Sequence, residues 1–446
     1  MAAVTAPLLD FMNRTVLILG GGIAGLTAAL HVARSGHTVT VIEEAATVGG
    51  RLRDAPPPIL LDAHDATWSL LRWLDKDVAT RRLRHSPLEF LQSNGARIQF
   101  LHLPLPSPLN TLLGTTLFQG LSMRDRWHLL SFLERTWERD PPLPNDLDLR
   151  AADDWLAGIG QSENARSGVW NCLARMLLGA SLSQVSAALF MRTLRRCFLT
   201  GAKATKLIVP SQEPNSFLLA PLKARLDAMG VQFKLNTTVA HLRFDQDRVK
   251  RVELTDGTAW TADGYVAALP RHRLTPLLPE RIVSHYAYFQ QLARLNESAL
   301  VIVRLHVDQV LERTQLVLLE RQTFHWMIRY PDSELHEQAS VVWAIAVEAG
   351  PLLAESDDAL VRLAVKDMET AFSTAPSLRV IQTEVRRQPK SYLMPRPATQ
   401  QYRPVSRSPF SNFFLAGDWT DTGWPANLES AIMSGQRCAE ALIAGL

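Results

Sequence analysis

Cysteine is scarce in this chain of 446 residues: only Cys172, Cys197 and Cys438 occur, and no two lie close together. An odd number of scattered thiols excludes a disulfide-stapled scaffold and points to reduced cysteines in a cytoplasmic compartment. No surplus of one charge is present either. Lys and Arg total 47 against 44 Asp and Glu, leaving +3, too even a balance for nucleic acid to be the main partner. The sequence has no His-Glu-x-x-His or Cys-x-x-Cys spacing, so no metal site is expected. It also lacks a Gly-x-Ser-x-Gly elbow, a Walker loop and any internal repeat.

Long uninterrupted apolar runs are missing as well. Four glycines break Val16–Leu26, and the stretch is too short to span a bilayer. Met1–Met12 has no basic n-region and carries Asp10, so it reads as a loose extension and not as a secretory signal. Ile98–Met123 contains no Asp, Glu, Lys or Arg, but Pro104, Pro106, Pro108, Asn110, Gly114 and Gly120 exclude a spanning helix. That stretch reads either as a buried loop or as a greasy surface resting peripherally on a membrane or opening to an apolar ligand. An amphipathic helix is expected to follow over Leu121–Glu138, with Trp127, Leu130, Leu133 and Trp137 at helical spacing. With 47% hydrophobic and 20% charged residues, the chain has material for a large core and more than one domain.

The densest signal lies near the N-terminus. Thr15–Leu19 is a β-branched apolar run ending at Gly20-Gly21-Gly22-Ile23-Ala24-Gly25. Helical spacing of apolar residues continues to Ala33, Gly36 terminates it, and Thr38–Ile42 reads as a second strand ending at Glu43. Strand, glycine turn, helix, strand and acid form the dinucleotide fingerprint. Gly20 permits the turn, Gly22 lets a pyrophosphate approach the backbone, and Gly25 lets helix and strand pack closely. The helix start, with Ile23 and Ala24, presents N–H groups to the diphosphate. Glu43 is placed to accept from ribose hydroxyls, with Glu44 beside it.

Two further segments favour FAD over NAD. Val48-Gly49-Gly50-Arg51 lets the backbone fold near the diphosphate and brings a guanidinium to neutralise it. Near the C-terminus, Phe413–Ala416 reads as a buried strand followed by Gly417-Asp418-Trp419, a turn through Gly423-Trp424-Pro425, and a helix from about Asn427 and Leu428 to Ile443. Asp418 suits a ribitol hydroxyl, and the helix start suits the flavin edge that gains negative charge on reduction.

At these residues the chain resembles the FAD-dependent amine oxidase and phytoene desaturase superfamily. The resemblance implies an α/β fold: a Rossmann-type FAD domain interleaved with an α+β substrate domain. The expected division is 13–65, 206–275 and 405–446 for the FAD domain, with 66–205 and 276–404 for the substrate domain. It further implies that Thr237–Leu242 contacts adenine through Val239 and that Tyr265–Pro270 returns the chain to the nucleotide domain.

A narrower resemblance rests on Leu103–Leu109, Trp170-Asn171-Cys172-Leu173, Lys206–Pro210 and Gly417–Ala426. These look like the squalene-associated, FAD-dependent hydroxysqualene dehydroxylases. That family implies reductive loss of an allylic hydroxyl from a C30 isoprenoid to give squalene, an external electron donor for FAD, and a long apolar cavity. Ile98–Met123, Trp170–Phe198 and Leu300–His306 are the candidate walls. Asp62-Ala63-His64-Asp65 stands where the family has Asp-Asn-Gly-Gln-His, and Ser430 stands at a usual glycine. Asp62, His64 and Asp65 are therefore the candidate catalytic cluster, one of them serving as proton donor. Oxidative desaturation of a carotenoid or squalene-type chain, amine oxidation, and a non-enzymatic prenyl-lipid carrier are the alternatives.

Overall fold

The computed structural model describes residues 13–53, 55–75, 83–100, 105, 109–135, 146–199, 207–210, 212–308, 315–331, 339–372 and 379–446. The expectations for Met1–Met12 and much of the 98–108 stretch lie outside these residues.

Thr15–Leu19 forms strand β1, helix α1 covers Ile23–Arg34, and Thr38–Ile42 forms strand β2. The β-branched runs favour the pleat, and Gly36 at φ +85° takes the left-handed turn between α1 and β2. β1 pairs in parallel with β2 from Thr15↔Thr38 to Leu19↔Ile42. On its other side β1 pairs in parallel with Gly264–Ala267, which in turn pairs with Phe413–Leu415. Gln232–Lys234 closes the far edge beside β2. Five strands from distant parts of the chain thus build one parallel sheet.

The strand period of two divides the core. Val16 and Ile18 join the cluster beneath α1, whereas Leu17 and Leu19 join Tyr265, Phe413 and Leu242 on the opposite face. The last helix, Leu428–Ile443, packs across α1. Gly435 sets that crossing: a Cβ there would lie 2.3 Å from the Ala24 carbonyl oxygen.

The second body is a seven-stranded sheet ordered Val380–Leu393, Glu297–Val307, Ser340–Val347, Trp326–Pro331, Gln315–Leu319, Leu88–Leu91, Arg97–Phe100. Its neighbours are antiparallel except Gln315–Leu319 with Leu88–Leu91. Alternation again splits the side chains. Val301, Val303 and Leu305 face the helix Asp357–Ala371, and Ile302, Ile328 and Ile345 face the helices around Trp170 and Leu173. The expected architecture, a Rossmann-like sheet interleaved with a helical and sheet substrate domain, is the one observed.

The amphipathic helix runs over Met123–Arg135, shorter at its start than expected, because Ser122 Oγ accepts the Asp125 N–H and caps it. Among the described residues no helix is long and apolar enough to cross a membrane.

Candidate active site

Two glycine turns meet at the end of β1. Gly20 is at φ +107°, and its N–H donates to the Ile42 carbonyl at 2.8 Å. Gly49, at φ +121°, donates its N–H to the Gly21 carbonyl at 2.8 Å. The turns stay this close because neither carries a side chain: a Cβ on Gly50 would lie 3.2 Å from Gly22 Cα. A Cβ on Gly22 would meet nothing within 4 Å, so that glycine faces open space at the start of α1. No side chain caps α1 and no acid occupies its first turn, leaving its N–H groups to an incoming anion. Gly25 works differently. Its Cβ would lie 2.0 Å from the Gly20 carbonyl oxygen, so it packs helix on strand as expected.

Glu43 is buried at the end of β2. Its Oε2 accepts from Gly21 N–H at 2.7 Å and its Oε1 from Ala45 N–H at 3.0 Å. Each oxygen keeps a further lone pair for a hydroxyl donor. Glu44 beside it pairs with Arg273.

From the far end of the chain, Gly417 at φ +148° directs Asp418 to Arg51, with Nη2 2.7 Å from Oδ1. Arg51 also donates to the Ser391 carbonyl. Asn427 caps the last helix by accepting the Ser430 N–H at 2.8 Å. Glu429 in that helix points away from the cofactor segments. Its carboxylate accepts from Ala66 N–H, Thr67 N–H and Thr67 Oγ at 2.7–2.9 Å, capping helix α2 (Asp65–Leu74) in trans, and burial raises its pKa.

A cavity of about 850 Å³ joins these segments. Gly20, Gly22, Ile23, Ala24, Glu43 and Glu44 line it together with Gly50, Arg51 and Val239; Gly417, Asp418, Asn427 and Leu428 close the other side. Of the cofactor residues named from sequence, Gly25 and Pro425 alone are absent from its lining. Side-chain-free glycines, an open helix N-terminus, a buried acid and a guanidinium fit a dinucleotide with a diphosphate; the helix starting at Leu428 offers a second N-terminus to the redox ring.

Beyond these segments the cavity becomes apolar. Leu177, Leu300, Trp326, Ile328, Ile345 and Val347 line it, on the inner face of the seven-stranded sheet and its covering helix Asn171–Leu178. Trp170–Phe198 and Leu300–His306 thus contribute wall residues. Ile98–Met123 contributes none among the described residues. Instead Leu113, Leu117 and Met123, with the following Trp127, are exposed on the outside. Among the described residues the lining carboxylates are Glu43, Glu44 and Asp418, all on the nucleotide segments. Arg175 also lines the cavity; its Nε lies 3.9 Å from Glu348 Oε2 and has no hydrogen-bond acceptor among the described residues.

The expected catalytic trio is divided. His64 lines the cavity, whereas Asp62 and Asp65 line a separate cleft of about 940 Å³ between α1, α2 and the last helix. The cause is the helix start at Asp65, which turns successive side chains to opposite sides. The His64 ring stands edge-on to Trp424 with centroids 5.2 Å apart, and its Nδ1 accepts the Leu61 N–H at 3.3 Å. Burial pushes its pKa down to about 4, so the ring is neutral near pH 7. A joint acid cluster beside the cofactor is therefore not what the fold builds.

Sequence reading missed Arg403. Its guanidinium is buried and fastens the carbonyls of Asp418, Thr420 and Trp424. A lone arginine before a short strand carries no motif; only the folded turn reveals its partners.

Comparison with known proteins agrees with this geometry. The profile of the family described as flavin containing amine oxidoreductase matches residues 23–443. The 15-cis-phytoene desaturase of Synechococcus elongatus is 25% identical over 458 residues, covering 96% of both chains. Its counterpart in Solanum lycopersicum is 24% identical over 462 residues, covering 96% of this chain and 77% of that protein. Among solved structures, putrescine oxidase with bound putrescine superposes with a TM-score of 0.69 at 16% identity, covering 97% of this chain and 99% of that one. Cyclohexylamine oxidase from Brevibacterium oxydans gives 0.66 at 17% identity with the same coverage. These two structural likenesses concern the fold.

Proposed function

The chain belongs to the flavin containing amine oxidoreductase family, and on that premise we propose that it dehydrogenates a long isoprenoid chain. Membership in the family carries FAD binding and oxidoreductase chemistry. FAD, when bound, supplies the hydride exchange that such a hydrocarbon needs. Gly20, Gly22 and the start of α1 would hold its diphosphate, Glu43 its ribose, and Asp418 with the Leu428 helix start its ribitol and redox ring.

One observation carries the choice of substrate: among the described residues the apolar part of the cavity has no carboxylate. An ammonium taken from water into that chamber would lose its hydration without gaining a counter-ion from the described lining. An isoprenoid chain loses nothing and gains the burial of its surface against leucine, isoleucine and tryptophan. The names of the sequence relatives, phytoene desaturases, support the same substrate class. Dehydrogenation of a hydrocarbon needs no acid in the chamber, and neutral His64 supplies none.

Reductive dehydroxylation of hydroxysqualene is the second reading, favoured by Arg175. Its guanidinium lines the cavity and would offer a donor to a substrate hydroxyl. Either direction needs an external redox partner. Substrate entry from an anionic lipid surface belongs to the same reading, supported by exposed Leu117, Met123 and Trp127 next to exposed Arg124.

Anaerobic mixing of the purified FAD-bound protein tests both. A phytoene-type polyene should bleach the visible flavin absorbance and gain a conjugated double bond. Bleaching by putrescine with no response to polyenes would sink the proposal. Return of the oxidised-flavin absorbance when hydroxysqualene is added to the pre-reduced protein, with squalene formed, would select the second reading.

A further inference from the structure

Arg403 is 5% exposed, and the carboxylates of Asp421 and Asp418 are its charged neighbours. Its Nη1 donates to the Trp424 carbonyl at 2.5 Å and to Gln400 Oε1 at 3.2 Å. Its Nη2 donates to the carbonyls of Asp418 at 2.8 Å and Thr420 at 2.6 Å, with Ser430 Oγ at 3.4 Å. One planar cation thus gathers three main-chain oxygens that no sheet or helix pairs. Without it the Thr420 and Trp424 carbonyls would have no donor among the described residues, and Asp418 would keep only Ser430 Oγ at 3.2 Å. Thr422 Oγ and Ser430 Oγ, 2.6 Å apart, complete the same knot.

The knot lies directly behind the cavity wall. Asp418 turns its side chain to Arg51 on the cavity side while its carbonyl is held by Arg403 from behind. Trp424, whose carbonyl is also held, lines the cavity, as do Ala426, Asn427 and Leu428 just after it. The guanidinium therefore controls where the Asp418 carboxylate and the N-terminus of the Leu428–Ile443 helix stand. Burial lowers its pKa to about 10, so it stays protonated at neutral pH.

We propose that Arg403 is a positioning residue of the redox centre: it locks the Asp418–Trp424 turn against the cofactor, and its buried positive charge favours the reduced form of the bound flavin. Reduction adds negative charge to the ring, and a fixed cation in a region of low dielectric stabilises that state more than the oxidised one. The proposal rests on FAD binding and not on the choice of substrate. Every measurement below is made without substrate, so its failure and the failure of the isoprenoid reading are distinguishable.

The test compares wild type with Arg403→Gln and Arg403→Lys by FAD titration and by equilibration with redox dyes. Arg403→Gln should bind FAD at least about tenfold more weakly, the scale of one lost charge-assisted hydrogen bond, and its midpoint potential should become more negative. Arg403→Lys keeps the charge but cannot span the carbonyl pairs with a fork. It should retain the potential while still losing affinity. If Arg403→Gln does not fold, Gln400→Ala removes one of the two acceptors of Nη1 and should show a smaller loss of affinity in the same direction. Wild-type affinity and potential in the variants that fold, with only a lowered melting temperature, would reduce Arg403 to a structural arginine and overturn the proposal.

Discussion

Arg51 and Asp418 are 367 residues apart in the chain, yet Nη2 and Oδ1 stand 2.7 Å from each other. The pair ties the second glycine turn to the C-terminal turn and so closes the ring of segments around the cavity. With Arg51 40% exposed, water screens the pair, and its share of fold stability is about 1 kcal/mol or less. Its consequence lies in ligand binding. Asp418→Asn is expected to weaken FAD binding about tenfold or more while shifting unfolding little, since one charge-assisted contact is lost. Flavin fluorescence titration checks this; an unchanged dissociation constant would remove Asp418 from the cofactor's contacts.

Gly22 and Gly25 should fail in opposite ways. Gly22 has extended backbone, φ −69° and ψ 169°, and open space at its Cβ position. Gly22→Leu should leave apoprotein stability within about 0.5 kcal/mol of wild type yet yield colourless protein, because the side chain fills the diphosphate cradle. Gly25→Ala drives its methyl into the Gly20 carbonyl and should cost about 1–3 kcal/mol in chemical denaturation, as overpacking does.

His64 should leave a signature in the pH dependence of stability. Its folded pKa is depressed to about 4 from 6.5. The neutral ring is the favoured folded form, so the associated stability is fully present above about pH 6.5, falls as pH drops, and is exhausted below about pH 4. The span of 2.5 units corresponds to about 3 kcal/mol. His64→Gln should lack that loss. Urea unfolding of both proteins at pH 7.5 and pH 4.5 decides the matter: parallel losses in the two would contradict it.

The exposed pair Met123 and Trp127, 75% and 70% accessible, occupies one face of its helix at i and i+4. Replacing both by Ser should leave melting unchanged and lower co-sedimentation with anionic vesicles several-fold, as loss of two interfacial anchors would. Equal sedimentation of the two proteins would separate this surface from lipid.

Local sequence was sufficient for the nucleotide end of the protein. Thr15–Leu19, Gly20–Gly25 and Thr38–Ile42 are contiguous, and their structure follows from β-branching, glycine freedom and helical spacing within a few residues of each other. The start of the last helix was legible for the same reason, since Asn427 caps it locally. The trio Asp62, His64 and Asp65 could not be read this way. Its members are neighbours in sequence, but the turn into α2 sends His64 to the cavity and its acidic neighbours to another cleft. The greasy stretch before Met123 posed the same difficulty, for apolarity alone does not say whether a residue faces a cavity or the outside.

By itself, then, the chain's order of residues determined that a dinucleotide cradle forms, because each of its parts is held by interactions between near neighbours. The tertiary structure alone decided that the described lining of the cavity's apolar part carries no carboxylate, that Arg51 meets Asp418, and that Arg403 fastens the turn behind them. Arg51 and Asp418 are 367 residues apart and Arg403 lies 15 residues before Asp418, and charge and hydrogen bonding act through distance in space, which only packing establishes.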